Sequence, residues 1–93
     1  DNATRKVLID AGYEKNLKHR TGHSLGNVIT HGDAAHFDGF ETLEERAVLP
    51  NLGFTIEPGV YFPEFGVRSE INVYSYPDKV EVTTAIQREI DLL

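Results

Sequence analysis

The chain has 93 residues, 40% hydrophobic and 26% charged, and carries a net charge of −6 from 15 acidic and 9 basic residues. That composition is globular rather than disordered, and no apolar run reaches the roughly 18 residues that cross a bilayer as a helix. Scattered Lys and Arg on an acidic chain do not build the clustered phosphate contacts of a nucleic-acid binder, and the absence of Cys excludes disulfides and thiolate metal sites.

The chain also lacks Met and starts at Asp1, so a trimmed piece of a longer polypeptide is expected. The first dozen residues read as a short helix. Val7, Leu8 and Ala11 share one face, Asn2 and Thr4 are candidate caps, and Gly12 is a C-terminal stop. Residues 13–50 are broken by Gly22, Gly26, Gly32 and Gly39 and read as short strands and loops. Glu41 to Val48 is a candidate helical turn that Pro50 ends.

From Phe54 the pattern has period two. Phe54, Ile56 and Val60 alternate with Thr55, Glu57 and Tyr61, and Val67, Ser69, Ile71 and Val73 alternate with Arg68, Glu70, Asn72 and Tyr74. Phe62 to Gly66 reads as the hairpin connection, and Tyr76-Pro77-Asp78-Lys79 as a second turn. Val80, Val82 and Thr84 then predict a third strand. Thr84 to Gln87 fits a capping box, with Ile86, Ile90 and Leu93 as an apolar helical stripe. The order is helix, irregular segment, three-stranded antiparallel meander, helix, which is an α+β architecture.

Two glutamates stand out. Glu57 and Glu70 lie on the polar faces of their strands, equidistant from the Pro63/Glu64 bond, so a symmetric hairpin sets them opposite each other. Facing carboxylates repel unless a proton, an arginine or a metal ion lies between them. Arg68 shares the face of Glu70 and supplies the plain answer. Pattern alone favours a surface hairpin with two solvated glutamates. All four histidines fall within residues 19–36. His19 and His23 have the spacing of one helical face, but the intervening and following glycines make a poor helix. A polar loop with exposed histidines is the plain reading here. Taken together, a His-rich loop followed by two face-matched glutamates has the composition of a hydrolytic site for Zn, Mn, Co or Fe(II).

Three ordered motifs carry a resemblance. They are His19-Arg20-Thr21-Gly22-His23-Ser24-Leu25-Gly26, Phe54-Thr55-Ile56-Glu57-Pro58-Gly59-Val60-Tyr61, and Gly66-Val67-Arg68-Ser69-Glu70-Ile71-Asn72. With their spacing they strongly resemble the pita-bread metallopeptidase family of methionine aminopeptidase, aminopeptidase P, prolidase and creatinase (peptidase M24), most of all its Xaa-Pro branch. The resemblance covers most of the chain. It implies the C-terminal half of a pita-bread fold, an antiparallel sheet flanked by helices, with residues 1–93 as half of a catalytic domain. It implies metal-dependent hydrolysis of the N-terminal Xaa-Pro bond of peptides, an aminopeptidase or dipeptidase activity, with two divalent ions (Mn, Co or Zn) activating a water.

The resemblance also assigns roles. His23 matches the histidine metal ligand, Glu57 a glutamate ligand that also takes the proton of the attacking water, and Glu70 the glutamate bridging both metals. His19 matches a histidine that binds substrate and stabilises the transition state. His31, followed by Gly32, matches a further active-site histidine, one residue later than the family pattern. His36 stands where such sequences usually carry a neutral residue and receives no role.

Two aspartate ligands belong to the preceding half of such a fold. None of Asp1, Asp10, Asp33, Asp38, Asp78 and Asp91 sits in that context. The chain alone is therefore expected to be inactive and metal-free or weakly mononuclear. Its partners are expected to be the missing N-terminal half and a peptide substrate, with no nucleic acid and no membrane, and its exposed half-sheet favours self-association, as in a homodimer. A cytoplasmic setting is expected, since no signal-peptide pattern is present. The alternative readings are a catalytically inactive peptide- or protein-binding module of the same fold, and a structural domain with vestigial motifs.

Overall fold

The computed structural model describes all residues, Asp1 to Leu93. Helix α1 spans Asn2–Asp10, followed by a 3-10 turn at Glu14–Asn16. The helix ends as its sequence dictates. Gly12 takes a φ of +92°, and the N–H groups of Gly12 and Tyr13 donate back to the carbonyls of Ile9 and Leu8. That 5→2 and 6→1 pairing closes the last turn, and it needs the left-handed residue that glycine supplies. The N-cap is Asp1 rather than Asn2 or Thr4. Its backbone carbonyl accepts from Arg5 N–H, while its carboxylate lies 3.6 Å from Arg5 Nε through Oδ2 and accepts from Thr21 through Oδ1. The apolar face is also shifted from the expected one: Val7 is exposed, and Thr4, Arg5 and Leu8 turn inward.

Five strands follow: β1 Leu52–Ile56, β2 Gly59–Tyr61, β3 Gly66–Arg68, β4 Ile71–Ser75 and β5 Val80–Val82. β1, β4 and β5 form an antiparallel sheet in that order, and β2 pairs with β3. The expected hairpin is present with its expected register. Leu52 pairs with Ser75, Ile56 with Ile71, Gly59 with Arg68 and Tyr61 with Gly66, all equidistant from the Pro63/Glu64 bond. The ladder is interrupted at Glu57–Pro58 and Ser69–Glu70, because proline has no N–H to donate. Only the Ser69 N–H to Pro58 carbonyl bond crosses that gap. Tyr76 N–H closes the second turn onto the Lys79 carbonyl.

The far edge of β1 is covered by the histidine loop. Leu25 N–H donates to Gly53, Thr55 N–H to His23 and Glu57 N–H to Thr21, so residues 21–25 run antiparallel beside β1. The approach is close enough at Gly22 that a Cβ there would overlap the Thr55 carbonyl. The apolar core beneath is small: Leu17, Ala35, Phe54 and Val73, with Phe37 tilted against Phe54 at 4.9 Å.

Two expected helical segments are not helical. Glu41 to Val48 is irregular. There the Asp38 carboxylate accepts the N–H groups of Phe40 and Glu41, and the Glu44 carboxylate accepts those of His36 and Arg46. Side chains that take backbone donors in this way compete with the helical ladder. Residues 83–93 are also irregular, despite the capping box and stripe. Thr83 N–H bonds Asn72 and Thr84 Oγ1 accepts Asn72 N–H, so the would-be cap serves the sheet edge. Ile86, Ile90 and Leu93 stay exposed, and so short a helix is marginal without a surface to bury its stripe. No helix is long and apolar enough to cross a membrane.

Candidate functional site

The site begins with the backbone of residues 21–25. Thr21 is buried and held at three points. Its N–H and Oγ–H donate to Asp1 Oδ1 at 2.9 and 2.7 Å, and its carbonyl accepts Glu57 N–H at 2.7 Å. His23 N–H donates to Thr55 Oγ1 at 3.0 Å, and Thr55 is itself only 2% exposed. The His loop and the Glu57 strand end are thus locked together through main-chain and buried hydroxyl bonds.

That lock sets the orientation of His23. The ring is 4% exposed, and its Nδ1 lies 2.8 Å from the Ser24 carbonyl. A carbonyl only accepts, so Nδ1 carries a proton, and in the neutral ring Nε2 holds the lone pair. Nε2 faces Glu57 Oε2 at 3.8 Å. Two acceptors facing each other call for a cation between them, either a second proton or a metal ion. Imidazole nitrogen with carboxylate oxygen suits a divalent transition metal, so this pair fits the group that the motifs imply.

The remaining residues singled out by the sequence are placed unequally. His31 is exposed, with its ring edge-on to His23 at 4.0 Å between centroids. His19 has both ring nitrogens engaged: Nδ1 with the Arg20 carbonyl at 2.7 Å and Nε2 with the Tyr61 hydroxyl at 2.8 Å. Glu70 lies in the ladder gap, exposed, 3.8 Å from Arg68 Nη2. It is not drawn to His23 and Glu57, and no three His, Asp or Glu side chains stand close enough to hold a metal ion.

Several residues that matter here receive no role from the motifs. Asp1, Thr21, Thr55 and Tyr61 act through long-range bonds that sequence spacing does not mark. His36 accepts Ser24 N–H at Nδ1, 3.1 Å away. Burial holds its pKa below the usual value, with Arg20, His23 and Arg46 adding to the effect and Glu44 opposing it. Burial would raise the pKa of Asp38, but N–H donors from Phe40, Thr42 and Glu41 and the Arg20 guanidinium outweigh it and hold the carboxyl low. Glu44, hydrogen-bonded by the Arg46 side chain and by two backbone N–H groups, is pushed down to about 2.

Residues 1–76 match the model of Metallopeptidase family M24. The probable dipeptidase PepE of Mycobacterium tuberculosis is 38% identical over 71 residues, 75% of this chain and 18% of that protein. The Xaa-Pro dipeptidase of Lactobacillus delbrueckii subsp. lactis gives the same identity and the same coverage of both chains. Among solved structures, the prolidase from Pyrococcus horikoshii superposes with a TM-score of 0.82 at 27% identity, covering 96% of this chain and 24% of that one. The chain therefore spans a quarter or less of the length of these proteins, and its sheets form part of a pita-bread fold. With a family model over most of its length and the His23 and Glu57 motifs brought together, the chain belongs to metallopeptidase family M24.

Proposed function

We propose that this chain is the C-terminal half of a peptidase catalytic domain that hydrolyses peptides at an N-terminal Xaa-Pro bond, with His23, Glu57 and Glu70 as its share of a dinuclear Mn, Co or Zn site. The observation that carries the reading is the 3.8 Å approach of His23 Nε2 to Glu57 Oε2, with the proton kept on Nδ1. When bound, the cation supplies Lewis acidity, making water a nucleophile near neutral pH and polarising the scissile carbonyl. His23 and Glu57 would hold it, and Glu70 would join them by swinging away from Arg68, a weak exposed pair. In this reading Glu57 is the carboxylate that accepts a proton. His31, exposed beside His23, is the histidine free to meet a substrate oxygen. His19 reaches substrate only by giving up its bond to Tyr61.

The test is hydrolysis of an Xaa-Pro dipeptide by the full-length protein with added Mn(II). The expected result is turnover that Glu70→Gln abolishes; turnover unchanged in Glu70→Gln sinks the metal mechanism.

A second reading, a peptide-binding relative without catalysis, draws on the pairing of Glu70 with Arg68 and on the absence of an assembled three-ligand group. Peptide binding by full-length protein that binds no divalent metal would favour it.

A further inference from the structure

We infer that His36, which no motif marks, is the positioning residue that aims His23 at Glu57. The chemistry of this inference rests on the metal reading above, but its geometry does not. Ser24 stands between the two histidines and is 1% exposed. Each of its polar groups is tied. Its N–H donates to His36 Nδ1 at 3.1 Å, and its Oγ–H donates to the Ala34 carbonyl at 3.0 Å. Its carbonyl accepts both Gly32 N–H and His23 Nδ1–H, each at 2.8 Å. The carbonyl that fixes the His23 tautomer therefore belongs to a residue whose N–H is held by His36. A buried N–H without a partner is costly, so loss of that acceptor lets the Ser24 backbone turn in search of another. The His23 ring then loses the bond that keeps its proton on Nδ1.

His36 is itself built into place. Its backbone N–H donates to Glu44 Oε2 at 3.1 Å. Glu44 is gripped by Arg46 through Nε at 2.9 Å and Nη2 at 2.6 Å. Arg46 Nη1 in turn donates to the Asp33 carbonyl at 2.8 Å. These bonds pin residues 33–46 so that one ring nitrogen meets one buried amide. An outer partner of a metal-ligating histidine fixes its tautomer and orientation, and mutation of such partners lowers metal affinity about 10–100-fold.

The experiment uses the full-length protein with three variants. In His36→Asn, Oδ1 stands where Nδ1 stood and can accept the Ser24 N–H. His36→Phe keeps a ring without an acceptor, and His36→Gln sets its acceptor one bond too far. Mn(II) alone is titrated calorimetrically, and the His23 tautomer is read from ring ¹⁵N shifts in metal-free protein. The expected result is Mn(II) affinity within about threefold of wild type for His36→Asn and a loss of about 10–100-fold for His36→Phe and His36→Gln. A single Nδ1–H tautomer of His23 is expected in wild type and His36→Asn, and a mixture in His36→Phe.

Wild-type affinity and tautomer in His36→Phe would overturn the inference. So would His36→Asn behaving like His36→Phe, since the ring would then matter only as packing. Wild-type protein that binds no Mn(II) overturns the metal reading instead, and the tautomer measurement still decides the role of His36.

Discussion

His23 Nε2 and Glu57 Oε2 face each other at 3.8 Å across the seam between the histidine loop and the end of β1, and the Ser24 carbonyl keeps the His23 proton on the opposite side of the ring. The two residues come from segments far apart in the chain. Three main-chain hydrogen bonds between residues 21–25 and residues 53–57 bring them together.

Gly22 is the point of closest approach. A methyl group there meets the Thr55 carbonyl, a backbone atom fixed by the sheet. Gly22→Ala should destabilise the full-length protein by about 1–3 kcal/mol, as overpacking at a rigid site does. Thermal unfolding checks this, and an unchanged Tm would show that the seam can open without cost.

Thr55 serves His23 through its hydroxyl, accepting the His23 N–H and lying 3.4 Å from the His23 carbonyl. Thr55→Val keeps the shape and strands a buried N–H, so a loss of about 1–3 kcal/mol is expected in denaturant unfolding. Thr55→Ser keeps the oxygen and should recover most of it. Wild-type stability in Thr55→Val would show that the hydroxyl bond to His23 contributes nothing.

Glu44 contributes to the acid limb. Its folded pKa of about 2 lies below its ordinary value of 4.5, because Arg46 and two backbone N–H groups favour the charged form. A depressed carboxylate contributes stability above its unfolded pKa and loses it as pH falls through the folded one. Stability should therefore decline from about pH 4.5 toward about pH 2, and Glu44→Gln should flatten that decline. A pH series of Tm values checks it; an acid limb identical in Glu44→Gln would show that other carboxylates govern it.

The hairpin register was legible because alternation fixes the faces and Pro63 and Gly66 fix the turn, so Glu57 and Glu70 had one symmetric place to sit. The division at Pro58 follows from a missing donor. The segment 84–93 was not legible in the same way. Thr84 to Gln87 and the Ile86, Ile90, Leu93 stripe describe what an isolated segment prefers, whereas Asn72 holds Thr84 at the sheet edge. Glu41 to Val48 fails as a helix for a related reason: Asp38 and Glu44 take its backbone donors. The motifs singled out His23 and Glu57, which the fold brings together. They gave no role to Asp1, Thr55 and His36, whose roles arise only from tertiary hydrogen bonds.

The most direct test of the central claim is a calorimetric Mn(II) titration of the full-length protein beside its Glu57→Gln variant. The expected result is saturable binding in wild type and a loss of more than about 100-fold in Glu57→Gln, beyond what outer partners of a ligand usually cost. Equal Mn(II) affinity in the two proteins would contradict the assignment of His23 and Glu57 as a metal-holding pair.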